Sequence, residues 1–193
     1  MEEALDRLQD SFKEVNFNPE LAASFRALWV EKKHPKGTWI TEAGETERYF
    51  YYVLEGLQSI YYINQKGDRV ILGFSYGGDY SGAYESFLMQ EASELFIEAL
   101  LPSRMLAINY KDYQSLFQLS PDFDRWSRIF LERILIGRGK REIELVTLTA
   151  QERYVKFMRR CPDILLQIPQ KYLASYLNMS PETFSRFRGS VKY

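Results

Sequence analysis

Residues 173–188 read LASYLNMSPETFSRFR. The stretch splits into two short amphipathic segments. Tyr172, Leu173, Tyr176 and Leu177 recur with helical spacing, and Ala174 stands where a second helix must pass close. Asn178 tolerates the left-handed backbone that ends a helix. Ser180 and Pro181 open the next segment as N-cap and first helical position. Phe184 and Phe187, three residues apart, turn back toward the first helix. Glu182, Thr183, Ser185, Arg186 and Arg188 are left facing outward. This pattern predicts a helix-turn-helix whose second helix enters the major groove of DNA. Arg pairs with guanine in two places, Glu accepts from cytosine or orients the Arg, and Ser and Thr serve a base or a phosphate. Gln170, Lys171 and Ser180, at the two helix starts, complete the expected DNA-binding set.

Charge along the chain points the same way. Met1 to Leu148 carries 17 Lys+Arg against 23 Asp+Glu, whereas Thr149 to Tyr193 carries 8 against 3. An acidic body with a basic tail suggests nucleic acid. At the change of sign, Thr149-Ala150-Gln151-Glu152 has the Thr-x-x-Glu form of a capping box and starts a helix. The net charge over all 193 residues is only −1, so bulk charge selects no partner.

Between Glu31 and Asn109 the pattern becomes short aromatic and β-branched runs punctuated by glycines. TWITEAG, RYFYYVLEG, LQSIYYIN, DRVILGF, ELFIEAL and RMLAIN read as strands, and NQKGDR as a hairpin turn. So many short strands predict a double-stranded β-helix, or jelly roll. Helical spacing precedes them, through Leu5, Leu8, Phe12 and Val15. After them comes the short helix YKDYQSLF, then a long one from Ser120-Pro121 to about Leu148. That helix is apolar on more than one face, and Phe123, Trp126, Phe130 and Ile134 are the expected dimer seam. The fold class is therefore α+β, in three segments: a β-roll sensor domain with N-terminal helices over 1–115, a dimerisation helix over 116–148, and a helix-turn-helix domain over 149–193.

Other chemistries find little support. Cys161 and His34 are the sole residues of their types, too few for a structural zinc site or an iron–sulfur cluster. No metal or cofactor is expected. His34 is read as a solvated loop residue and Cys161 as a small, partly buried one. No nucleophile motif or Gly-rich phosphate loop suggests an enzyme. The acidic N-terminus lacks the features of a signal peptide, and no run approaches the ~18 apolar residues of a membrane span. A cytoplasmic protein without a membrane partner is expected.

The order of acidic strand-rich domain, long helix and C-terminal helix-turn-helix resembles the Crp/Fnr family of bacterial transcription regulators. Glu182, Ser185 and Arg186 fall on the Glu-x-x-Ser-Arg signature of Fnr-like recognition helices. The resemblance implies a homodimer reading a two-fold symmetric site, with RNA polymerase as a partner. Pro181 stands where Crp-like members carry Arg, and Asn178 where a glycine is usual. The family's roll can bind a cyclic nucleotide through a Gly-Glu pair and an Arg-Ser/Thr-Ala segment. Gly78-Asp79 is the matching pair, and Ser93 lies in Glu91-Ala92-Ser93-Glu94 where the Arg should stand. Gly78, Asp79 and Ser93 thus mark the expected effector pocket. No Arg or Lys occurs from Gly73 to Ser103, so the phosphate site looks lost and the effector is unnamed. The competing reading is a small-molecule or cyclic-nucleotide sensor whose terminal helices only pack.

Overall fold

The fold is described from a computed structural model, over residues 1–160 and 167–190; the expectation for Cys161 falls outside them. Two helices, α1 (Glu2–Ser11) and α2 (Pro19–Ala27), lead into eight strands. These are β1 (Val30–His34), β2 (Trp39–Thr41), β3 (Tyr49–Glu55), β4 (Leu57–Ile63), β5 (Arg69–Tyr76), β6 (Tyr80–Ser81), β7 (Phe96–Ala99) and β8 (Ser103–Asn109), with α3 (Tyr84–Met89) between β6 and β7. Then follow α4 (Tyr110–Leu119), α5 (Asp122–Thr147), α6 (Ala150–Arg160), α7 (Gln170–Tyr176) and α8 (Pro181–Ser190). The strands form two four-stranded sheets, ordered β1-β8-β3-β6 and β2-β7-β4-β5. The α+β class and the roll agree with the sequence.

The chain forms two compact units. One comprises Met1–Ile60 and Phe74–Leu131, the other Tyr61–Gly73 and Glu132–Tyr193. The division falls inside α5 and assigns the tip of the β4–β5 hairpin to the C-terminal unit.

In the first unit, β3 is buried on both faces, because the alternation of its side chains serves two cores. Phe50, Tyr52 and Leu54 join the helices, while Tyr51 and Val53 meet Met105 and Ala107, with Ile40 packed against them. β3 turns into β4 at Gly56, whose φ is +101°. A Cβ there would run into Ser103 Oγ and approach the Pro102 carbonyl oxygen to 2.7 Å, so this position requires glycine. A buried polar chain lies nearby. Ser75 Oγ sits 2.9 Å from both Gln58 Oε1 and Ser81 Oγ, and Gln58 Nε2 donates to Ser103 Oγ at 2.7 Å.

The helix side of the roll is filled by rings. Trp126 stacks on Phe12 at 4.1 Å and on Phe130 at 5.3 Å, and Phe123 stacks on Phe25 at 5.7 Å. Of the four residues expected at the dimer seam, two are enclosed by their own chain. Phe123 and Trp126 are buried within one chain and Phe130 packs against the same cluster, because α1 and α2 supply the apolar partner that a second subunit was expected to provide. Ile134 is half-buried. The apolar residues of α5 left in water are Leu131, Leu135, Ile136, Ile143 and Val146.

His34 also departs from expectation. It lies on β1, half-buried, its ring edge-on to Tyr51 at 6.1 Å. Burial pulls its pKa below the ordinary histidine value, with Lys32 adding to the shift.

Candidate nucleic-acid interface

The C-terminal unit holds the corner predicted between α7 and α8. Asn178 adopts φ +52°, and the backbone closes around it: Met179 N–H donates to Ala174 O at 3.0 Å, and Leu177 N–H to Leu173 O at 2.9 Å. Ser180 Oγ then accepts the N–H of Thr183 at 3.2 Å, the N-cap bond that starts α8. Ala174 is fully buried, as a close helix crossing demands. Phe184 is buried edge-on against Tyr154 of α6 at 5.4 Å, and Phe187 lies 5.8 Å from the same ring. The capping box on α6 is present in both directions. Thr149 N–H donates to Glu152 Oε2 at 2.8 Å, and Glu152 N–H to Thr149 Oγ1 at 3.3 Å.

With Phe184 and Phe187 turned inward, α8 presents Glu182, Ser185, Arg186 and Arg188 to solvent. Ser180, Gln170 and Lys171 are exposed too, whereas Thr183 is half-buried beside the cap. Glu182 is held below the ordinary carboxylate pKa by its own backbone N–H at the helix start and by the Ser180 hydroxyl. It is therefore an acceptor at neutral pH. The set carries a fixed acceptor, hydroxyls and two guanidiniums on one short helix, a mix suited to base edges and phosphates.

Two arginines that sequence spacing did not single out hold this corner. Arg153 of α6 donates to Leu177 O at 2.8 Å, Asn178 O at 3.0 Å and Leu148 O at 2.5 Å. Arg141 of α5 donates to Tyr176 O at 2.6 Å and stacks on the Tyr176 ring at 3.8 Å. Both satisfy carbonyls at the end of α7. Their partners are backbone atoms, which leave no residue-type signal to find.

Of the expected effector residues, Asp79 and Ser93 are each engaged in local hydrogen bonds. Asp79 accepts the Tyr76 N–H at 3.1 Å in the turn before β6, with Gly78 at φ +94°. Ser93 Oγ accepts the Leu95 N–H at 2.9 Å within its own loop. The roll does contain a cavity of about 300 Å³, bordered by Trp39, Thr41, Glu47, Arg48, Tyr49 and Tyr51. Glu47 does not offer a free carboxylate to it. Its oxygens accept from the Thr41 hydroxyl, from Tyr49 N–H at 3.1 Å and from Ala83 N–H at 3.2 Å, while burial pushes its pKa up. Among the described residues no group of His, Cys, Asp and Glu could hold a metal ion, and no helix is long and apolar enough to cross a membrane.

Residues 31–120 match the cyclic nucleotide-binding domain. The chain is 28% identical over 90 residues to the cAMP-activated global transcriptional regulator CRP of Pasteurella multocida, covering 47% of this chain and 43% of that protein. It is 25% identical over 137 residues to the CRP-like protein Clp of Xanthomonas campestris, covering 68% and 60%. The matched stretch spans less than half of the first relative's length and three fifths of the second's. Among solved structures, FixK2 from Bradyrhizobium japonicum superposes with a TM-score of 0.74 at 21% identity, covering 83% of each chain. The c-di-GMP responsive global regulator CLP of Xanthomonas campestris gives 0.71 at 21% identity, over 89% of this chain and 91% of that one. The fold is that of the Crp/Fnr regulators.

Proposed function

Starting from a chain with a cyclic nucleotide-binding domain over residues 31–120 and the fold of Crp/Fnr regulators, we propose that the protein is a homodimeric, DNA-binding transcription regulator. One observation carries this reading. α8 is anchored by Phe184 and Phe187, and its exposed face is Glu182, Ser185, Arg186 and Arg188, residues that the packing of the corner does not require. The subunits pair through the exposed apolar stripe of α5, where Gly137 and Gly139 leave open space for close approach. Two heads then meet half-sites about 34 Å apart, one turn of DNA. Such a regulator works in the cytoplasm and passes its signal to RNA polymerase.

Selection of bound fragments from a random DNA pool tests the reading. A palindrome is the expected result, with affinity falling steeply as salt rises. Recovery of no motif, with no salt-dependent binding, would leave a sensor module whose terminal helices only pack. Arg186→Ala is expected to cost about 1–3 kcal/mol of specific binding and to relax one base position. An unchanged selected motif would count against it.

The roll is proposed to have lost the phosphate site for cyclic nucleotides. A phosphodiester calls for a guanidinium, and Ser93 and its exposed neighbours Glu91 and Glu94 supply none. Calorimetry with cyclic AMP is expected to give no micromolar binding; a micromolar constant would refute the loss. Whatever effector acts must bind the two states of the protein unequally.

A further inference from the structure

We infer that Ser175 is a positioning residue of the reading head: it locks α7 to the edge of β5 and so fixes the angle at which α8 meets DNA. The inference rests on the DNA-reading function proposed above. β5 is the outermost strand of its sheet, and an outer strand leaves N–H and C=O groups without a strand partner. Ser175 Oγ accepts the N–H of Ile71 at 3.0 Å and donates to the carbonyl of Arg69 at 3.0 Å. One hydroxyl thus stands in for a neighbouring strand across two edge groups. A second contact flanks it: Arg69 Nη1 donates to the Tyr172 hydroxyl at 3.0 Å, with its guanidinium 4.6 Å above the Tyr61 ring.

The grip is two-sided. Ser175 is held by the hairpin, and the next residue, Tyr176, is held through its carbonyl by Arg141 of α5. All of these groups belong to one compact unit. An open cleft beside the grip is bordered by Gly67, Asp68, Lys171, Met179, Ser180 and Pro181. Lys171 and Ser180 of the expected DNA-binding set border this cleft, whereas Glu182, Ser185, Arg186 and Arg188 lie outside it, so the hairpin sits beside the start of α8 and leaves those four free. α5 is also the helix proposed to pair the subunits, which makes the angle between α7 and α5 a determinant of half-site spacing.

The test compares the 193-residue chain with its S175A and S175T variants on palindromes whose half-sites are moved apart or together by one and two base pairs. S175A is expected to bind the best spacing about tenfold more weakly, having lost two hydrogen bonds, yet to lose little on the neighbouring spacings. S175T keeps the hydroxyl and is expected to behave as wild type. A role in stability alone would lower binding equally at every spacing, and that result would overturn the inference. Hydrogen exchange at the Ile71 amide should quicken in S175A; an unchanged rate would also overturn it. If the wild type selects no DNA, the proposed function falls and this inference with it. If the wild type selects a palindrome and S175A keeps its spacing preference, this inference alone falls.

Discussion

Trp126→Ala is expected to lower the stability of the N-terminal unit by about 3–5 kcal/mol, the cost of emptying a large aromatic site in a core. Trp126 is 3% exposed. It stacks on Phe12 and Phe130 and meets Phe50 and Tyr80 edge-on, at 6.4 and 5.6 Å. These partners come from the residue after α1 and from β3, β6 and α5, so no single element can move in to close the space. Urea unfolding followed by circular dichroism measures the loss. The same experiment separates burial within one chain from burial between subunits. The variant should remain a dimer under native conditions. A variant that turned monomeric at full stability would return Trp126 to the seam.

The second large effect is expected from charging the exposed stripe of α5. Leu135 is 73% exposed and Ile143 63% exposed, so Asp at both positions disturbs no core of the single chain. In a dimer the same two substitutions bury carboxylates against apolar side chains, which is costly. The double variant L135D/I143D should sediment as a monomer with unchanged unfolding. Its affinity for a palindrome should fall by about 10²–10⁴, the advantage of linking two reading heads, while binding to an isolated half-site persists. A dimer surviving both substitutions would move the subunit contact elsewhere.

These two experiments mark where the sequence could be read and where it could not. The roll, the long helix and the corner at Asn178 were legible, because strand alternation, Ser-Pro helix starts and the capping box at Thr149 and Glu152 are local signals. The partner of α5 was not. Phe123, Trp126 and Phe130 recur as a dimer seam would, and periodicity registers an apolar face without recording what covers it. Here α1 and α2 return to that face from the far end of the sequence. His34 was misplaced for a related reason: Pro35 and the surrounding lysines signal a turn, but the pairing of Val30–His34 with Ser103–Ala107 draws the histidine into β1. The outward set on α8 was readable, since Phe184 and Phe187 determine which residues remain. The holds by Arg141, Arg153 and Ser175 were not, because each ends on a backbone atom.

The three tryptophans Trp29, Trp39 and Trp126 all fall in the first compact unit. Indole fluorescence therefore reports on the roll and is blind to the head. Trp29 and Trp126 are buried while Trp39 is half exposed, so opening of the roll should shift the emission to the red. Melting of α6 to α8 should pass unseen except by far-ultraviolet dichroism. The blindness is useful. The proposed operator touches only the tryptophan-free unit, so a change in emission on adding DNA would be an optical record of communication from head to roll, obtained without attaching any label.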